Sequence, residues 1–302
     1  MLARTMLLFT SLTLLLMLIG FIVGYAFFAD PLTFMLLGLV LAGIMNFVGY
    51  EWSDKFVLWS THTKLIGPNE NPQLFSIVQK VANEAHIPMP RVGIVESSQP
   101  NAFATGKGPN KAVVVCTTAI LRMLTSGELE AVIGHEISHV THRDVLVSSI
   151  AATLAGAISY VGQIVIFNSF FGGFGNTRGR NNQQQDSSYL ILAIVAAILI
   201  PIAAMLIQLG ISRNRETSAD EAGARLTEKP QELANALRKI SSSASARQWK
   251  KNNAPSPSTS ALWIVNPLKG STVAGLFSTH PSLEKRINVI QKVGMELGII
   301  VV

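Results

Sequence analysis

The stretch AVIGHEISHVTHRD, residues 131–144, decides how the rest of the chain is read. It contains His135-Glu136-Ile137-Ser138-His139, and on a helix positions i and i+4 lie on one face about one turn apart. Both imidazoles then reach one zinc ion at ~2.0 Å, while Glu136 projects toward the side a bound water occupies. In a chain of 302 residues with 6 His, random order yields on the order of 0.005 such motifs. Upstream, Ser126-Gly127-Glu128-Leu129-Glu130 places a capping side chain and acidic residues at the positive end of a helix dipole, so a helix should begin near Ser126. It runs through the motif and is free to continue into the apolar stretch beyond. A metzincin pattern needs Gly at 142 and His at 145, but His142 and Val145 stand there. His142 therefore reads as a surface or interfacial histidine.

Moving outward, the charges are unevenly distributed. The chain is 49% hydrophobic and 14% charged, against about 25% charged in an ordinary soluble domain. Four stretches, Met6–Phe28, Leu32–Tyr50, Val145–Phe171 and Tyr189–Ile211, contain no Lys, Arg, Asp or Glu at all. Each approaches the ~20 residues that cross a bilayer core as a helix. The first is far longer than the ~7–15 residues of a signal-peptide core and lacks an A-x-A site, so it reads as a retained anchor. The third is diluted by Ser148, Ser149, Thr153, Ser159, Gln163 and Asn168, whose polar groups suit packing on the fourth. Arg4, Lys55, Lys64, Arg143, Arg213 and Arg215 flank one side of these spans, while Ala29-Asp30-Pro31 carries no cation, which predicts the basic side to be cytoplasmic. Arg178 and Arg180, in the Gly172–Ser188 loop, dissent. Lone Cys116 cannot form an internal disulfide, in keeping with a reducing compartment. The formal charge of +6 fits inside-positive bias and anionic lipid; no basic cluster interleaved with aromatics points to nucleic acid.

The expected organisation is a transmembrane hairpin in 1–50 (spans 6–28 and 32–50), a catalytic domain from 51–144 and 212–302, and a second hairpin in 145–211 (spans 145–171 and 189–211). Within the domain, Asn71-Pro72 caps an amphipathic helix with Leu74, Ile77, Val78 and Val81 on one face. Strands are expected at Arg91–Val95 and Ala112–Thr118, with Ser97–Asn110 a loop holding an extra edge strand. Arg213–Leu226 and Gln231–Ile240 read as helices, and Ser241–Ser260 as a solvated loop. Pro281 suits the first position of a last helix, with His280 at its cap. The fold class is predominantly α (α+β), with a small β-sheet and four transmembrane helices in two hairpins.

A catalytic zinc site needs a third protein ligand and an open position. Glu216, in Arg215-Glu216-Thr217-Ser218-Ala219-Asp220, is the candidate. His139 lies six residues before the third stretch and Glu216 five after the fourth, about 9 and 8 Å along a helix, so a membrane hairpin returns both to one level. Asp220 shares a helical face with Glu216 and can accept a hydrogen bond from a ligand histidine. The charges of residues 125–144 put this site outside the bilayer.

These motifs, with Asn101-Ala102-Phe103-Ala104-Thr105-Gly106 and Ser278-Thr279-His280-Pro281-Ser282, resemble the membrane-bound gluzincin peptidases of the HtpX type, peptidase family M48, which are relatives of the CAAX prenyl endopeptidases. The resemblance covers nearly the whole chain. It implies a zincin-like peptidase domain and a zinc endopeptidase of a bacterial inner membrane, multi-pass and facing the cytoplasm. Its role would be stress-linked quality control, with unfolded or misfolded membrane proteins as substrates. It further implies one Zn(2+) per subunit on His135, His139 and Glu216, Glu136 as catalytic acid/base, and Asp220 behind a ligand. His280 becomes a donor to the tetrahedral oxyanion, and Asn101, Ala102, Phe103 and Ala104 a strand that pairs with an extended substrate. Homo-oligomerisation stays open. A competing reading is a membrane chaperone or scaffold with a structural zinc, which needs four protein ligands. A transporter needs ionisable groups within its spans, and none is there.

Overall fold

The computed structural model describes residues 2–25, 30–151, 153–154, 213–246, 264 and 281–302. Two long apolar helices come first, α1 (Leu2–Val23) and α2 (Pro31–Ser60). The side chain of Asp30 accepts from the Thr33 N–H at 3.2 Å and starts α2 beside Pro31, whose fixed φ suits a first helical turn. The two helices pack along each other, and Asn46 Nδ2 donates to Phe9 O (3.3 Å) and Thr13 Oγ1 (3.1 Å) across the pair. Their outer faces expose Leu14, Leu18, Leu36, Val40 and Phe47. Polar contacts inside and leucines outside invert the pattern of a water-soluble helix pair and suit a lipid surround.

Among the described residues α2 alone is long and apolar enough to cross a membrane, and the apolar run Met6–Ile22 of α1 is shorter. Expected span 32–50 falls within α2 and span 6–28 on α1 as far as Val23, its residues 26–28 lying outside the described residues, and α2 runs on to Ser60 as part of the domain. Its Val57 is buried against Phe103, Val113 and Val115. Of the expected third span, residues 145–151 and 153–154 are helical, and Ile150 and Leu154 lie against Gly49 of α2. The rest of that span, the fourth at 189–211 and most of the Ser241–Ser260 loop lie outside the described residues.

The sheet is small and mixed, in the order β1-β2-β4-β3. Strand β1 (Lys64–Ile66) is antiparallel to β2 (Arg91–Val95), β2 is parallel to β4 (Val113–Thr117), and β3 (Ala102–Thr105) is antiparallel to β4 with Ala104 opposite Val114. The expected edge strand is therefore present, one residue later than its motif, and β1 was not anticipated. Helix α3 (Pro72–Glu84) begins at Asn71, whose side chain accepts from the Leu74 N–H at 3.0 Å. A short α4 (Thr118–Met123) leads to α5 (Ser126–Thr141), and α6 (Arg213–Thr227), α7 (Pro230–Ala246) and α8 (Leu283–Glu296) complete the domain. Residues 241–246, expected as loop, extend α7.

Helix α5 is the axis of this domain and touches α3, α6, α7, β3 and β4. Ile133 and Ile137 are fully buried among Val78 and Val81 of α3, Leu233 and Leu237 of α7, and Ile290 of α8. Burying each such isoleucine contributes on the order of 1.5–3 kcal/mol. Its charged look in sequence is misleading, because Glu128 and Glu130 are buried too. Lys239 meets Glu128 at 2.7 Å, while Lys80 and Lys229 meet Glu130 at 2.8 Å each, so the acids join α5 to α3 and α7.

Helix α5 begins at Ser126 as expected, but three helix ends are built differently from expectation. Thr125, not Ser126, caps α5, in a reciprocal capping box with Glu128. The helix does not flow into the next apolar stretch: Arg143 adopts φ 58°, its N–H bonds Val140 O at 2.9 Å, and helix resumes only at 144. A single left-handed residue ends a helix and turns the next side chain back toward it. Helix α8 starts at Leu283, capped by the Ser282 hydroxyl that accepts from the Lys285 N–H at 3.4 Å, so Pro281 is outside it. Serine supplies the acceptor that the first turn needs and proline does not. His280 lies outside the described residues.

Thr125→Ala should cost about 1 kcal/mol by removing the capping acceptor. A thermal unfolding midpoint in detergent that stays at the wild-type value would contradict the role given to this cap.

Candidate metal centre

The site forms where α5 crosses α6. On α6, Glu216, Asp220, Gly223 and Thr227 recur at helical spacing and line the face turned to α5. At the crossing Gly134 and Gly223 bring the two backbones together. A Cβ on Gly223 would lie 2.6 Å from His135 N, and one on Gly134 would lie 2.5 Å from Thr227 Cγ2. Only glycine at both positions lets the helices approach this closely, and the approach sets Glu216 opposite the two histidines.

His135 Nε2 lies 3.8 Å from Glu216 Oε2, and His139 Nε2 lies 3.5 Å from Glu216 Oε1. The two imidazole rings sit edge to face, 4.8 Å apart at 90°. One donor atom from each of the three residues lies within 4.8 Å of the others. Tetrahedral zinc with bonds of 2.0–2.1 Å holds its ligands about 3.4 Å apart, so the two histidine–Glu216 distances are close to those of a ligand set and too long for hydrogen bonds. Each histidine turns its other nitrogen to a carboxylate: His135 Nδ1 is 3.0 Å from Asp220 Oδ1, and His139 Nδ1 is 3.6 Å from Asp144 Oδ2. A carboxylate beside Nδ1 favours the tautomer that presents Nε2 to a metal.

Charge supports the same fit. Glu136, Glu216 and Asp220 are buried, and Asp144 lines the site. Against these four carboxylates stand two guanidinium groups. Arg286 donates through Nε (2.7 Å) and Nη2 (2.6 Å) to both oxygens of Asp220, and through Nη1 (2.6 Å) to Ile264 O. Arg215 Nη1 lies 3.4 Å from Asp144 Oδ1. With neutral imidazoles the formal balance is −2, which one divalent cation neutralises, and two imidazoles with a carboxylate suit zinc. The same field acts on protons. Burial alone would depress the His139 pKa, but the Asp144 and Glu216 carboxylates beside it push it up to about 10. Burial works against ionised Asp220 as well, yet the Arg286 guanidinium holds its carboxyl below the ordinary range.

Glu136 is buried on the side of α5 that meets β3. The Ala104 N–H, on the edge of β3 away from β4, donates to Glu136 Oε2 at 2.9 Å. Burial pushes this carboxyl up, with His135 and His139 pulling the other way.

Of the residues singled out from sequence, His135, Glu136, His139, Glu216 and Asp220 meet here, and Ala104 reaches them through its backbone. Asn101 acts at one remove: its N–H donates to Thr117 Oγ1 (2.9 Å), and its Oδ1 accepts from the Ile264 N–H (3.0 Å), next to the carbonyl that holds Arg286. Ala102 is buried in the main core, and the Phe103 side chain packs with Val57 and Val113, away from the metal donors. His142 turns Nδ1 to Ser138 O at 2.8 Å. Sequence reading missed Asp144, Arg215, Arg286 and the two glycines. Arg286 left a signal, a cation on the apolar face shared by Leu283, Ile287, Ile290 and Val293.

The family model described as Peptidase family M48 matches residues 68–293. A protein named Protease HtpX homolog from Thermococcus sibiricus is 44% identical over 296 residues, which cover 98% of this chain and 97% of that one. One of the same name from Pyrococcus furiosus is 44% identical over 281 residues, 93% of this chain and 94% of its own. Among solved structures, Ste24p of S. mikatae aligns at a TM-score of 0.48 and 17% identity, over 96% of this chain and 64% of that one.

Gly223→Ala should destabilise the domain by about 1–3 kcal/mol through overpacking and lower bound zinc in parallel. Gly127→Ala, whose new Cβ meets only Glu232 Cγ at 3.4 Å, serves as the control; matching zinc content in both variants would refute the crossing as the determinant. Arg286→Ala strands the buried Asp220 charge and should cost about 3–5 kcal/mol, read as a fall in the unfolding midpoint that Arg286→Lys only partly reproduces.

Proposed function

The chain belongs to peptidase family M48, and from that premise we propose that it is a membrane-anchored zinc endopeptidase with two hydrophobic hairpins, the second of which interrupts its peptidase domain. The observation that carries this reading is the convergence of Nε2 of His135, Nε2 of His139 and the Glu216 carboxylate with Glu136 beside them. Three donors from the protein leave one position of a tetrahedral ion for water or substrate, which distinguishes a catalytic site from a structural one. Among the described residues the nearby spare groups are engaged elsewhere: Asp144 and Asp220 face the outer nitrogens of the histidines, and His142 faces a backbone carbonyl. That disfavours the scaffold alternative.

A zinc ion held by these donors supplies Lewis acidity, toward water and toward the scissile carbonyl. Glu136 is the general base. The Ala104 N–H holds its Oε2, leaving Oε1 to take the proton of the attacking water and pass it to the leaving amine. Asp220 and Asp144 keep the protons of the histidines on Nδ1, and Arg286 prevents Asp220 from rotating away. Strand β3 borders this site at Ala104, and Ala102, two residues earlier, shares the same edge by alternation. An extended substrate adding to this edge would be read through its backbone, independent of sequence, as suits unfolded polypeptides. His280, just before Pro281, is assigned the oxyanion donor.

The same reading puts residues 1–50 and 145–211 in an inner membrane as two hairpins, with 51–144 and 212–302 on the cytoplasmic side. Misfolded membrane proteins under stress are the proposed substrates. The exposed leucines of α1 and α2 support an anchor, and the cations flanking the charge-free stretches support the orientation.

Glu136→Gln should abolish cleavage of an unfolded model substrate while retaining zinc, since only the base is lost; residual cleavage at the wild-type rate would reject the mechanism. Glu216→Ala should lose zinc, whereas Glu221→Ala, which removes only an exposed pairing with Arg225, should not. Equal zinc loss in the two would reject Glu216 as the third ligand.

A further inference from the structure

A second cluster of charges lies away from the metal donors, where α2 leaves its apolar stretch. Glu51, Asp54 and Lys55, on one face of α2, join Arg91 at the start of β2 and Lys107 and Lys111 from the β3–β4 loop around a cleft of about 390 Å³. That volume is in the range of small-ligand sites. Four cations face two carboxylates. Lys107 Nζ pairs with Glu51 Oε1 at 2.8 Å, and Arg91 Nη2 lies 3.6 Å from Asp54 Oδ2. Lys55 and Lys111 have no ion-pair partner within 4.0 Å among the described residues. The loop is built to present its lysines: Gly106 adopts φ 130°, and a Cβ there would lie 2.3 Å from Lys111 O.

Depth identifies the ligand. From Pro31 to Tyr50 the helix rises roughly 30 Å, the thickness of a bilayer's hydrocarbon core. Lys55 then stands about 7.5 Å beyond, within the headgroup layer of roughly 5–7.5 Å on each side. Tyr50 and Trp52 are half exposed at the boundary, where aromatic belts sit, and the Lys107 ammonium lies 5.3 Å above the Tyr50 ring. The cleft thus combines surplus positive charge, aromatic anchors and headgroup depth.

We infer that this cleft binds the phosphate of an anionic phospholipid headgroup, with Lys55 and Lys111 as its free cations and the Lys107–Glu51 and Arg91–Asp54 pairs as its walls. The inference rests on α2 crossing the membrane and is independent of the metal centre. A bound lipid ties the end of α2 to the loop after β3, the strand whose Ala104 N–H holds Glu136.

Native mass spectrometry of the full chain, released from micelles holding equimolar phosphatidylglycerol and phosphatidylcholine, reads the site directly. The intact protein should retain phosphatidylglycerol preferentially, less so as salt is raised. Lys55→Gln with Lys111→Gln leaves both ion pairs in place and should weaken that retention roughly 30-fold, each lysine contributing about a factor of five. Lys285→Gln with Lys292→Gln, the same charge change on exposed positions of α8, should leave it unchanged. Equal loss in the two double variants, or equal retention of both lipids by the intact chain, overturns the site. Displacement of phosphatidylglycerol by inorganic phosphate or glycerol phosphate at comparable concentrations also overturns it, because the ligand would then be a soluble phosphate. The readout needs no proteolysis, so it stands or falls apart from the peptidase reading.

Discussion

Two helices that a long apolar stretch separates in sequence have to cross closely enough for three donor atoms to converge, and a pair of glycines makes that crossing possible. Gly223 follows Glu216 by two helical turns and so shares its face of α6, and it packs on the α5 backbone at Gly134 and at His135, the first histidine. Any side chain at Gly223 would push α6 away from the His135 backbone. Because Glu216 and Asp220 both ride on α6, a displacement there moves a proposed ligand and the partner of another together. The buried acids of α5 act in the same sense, since Glu128 and Glu130 bind lysines of α3 and of the α7 region and hold the crossing from behind.

The site concentrates negative charge in a place where charge is costly to bury. Arg286 and Arg215 offset part of it and leave the −2 that a divalent cation matches. Arg286 also joins parts of the chain that otherwise have no reason to move together: α6 through Asp220, residue 264 through its carbonyl, and by way of Asn101 the sheet. Glu136 is coupled to the sheet separately, by Ala104. The proposed base and the proposed substrate edge are thus held by one strand. The cationic cleft at the foot of α2 borders the loop that follows it.

Much of this was legible from residues alone, and for identifiable reasons. The i, i+4 pair in His135 and His139 is a local relation, so a helix assignment suffices to put both rings on one face. Glu216 and Asp220 could be found because the hairpin expected between 145 and 211 would return the chain to its starting height, and Asp220 falls one turn from Glu216. The helix around Leu74 and the strands at Arg91 and Val113 followed from caps and apolar runs. Boundaries were less legible, as at Thr125, Arg143 and Ser282, where side-chain hydrogen bonds and one left-handed residue decided among neighbouring positions.

By itself the sequence determined the candidate ligand pair and third ligand, the mixed helical class and the apolar anchor, all of which depend on periodicity, spacing along one helix or the segregation of charge. Only the tertiary structure decided what surrounds them: that Asp144 turns back to His139, that Arg286 clasps Asp220, that β3 lends an N–H to Glu136, and that Phe103 faces away. These are contacts between elements distant in sequence, set by how helices and strands pack in three dimensions. A side chain's partner across such a contact leaves no period in the chain from which to read it.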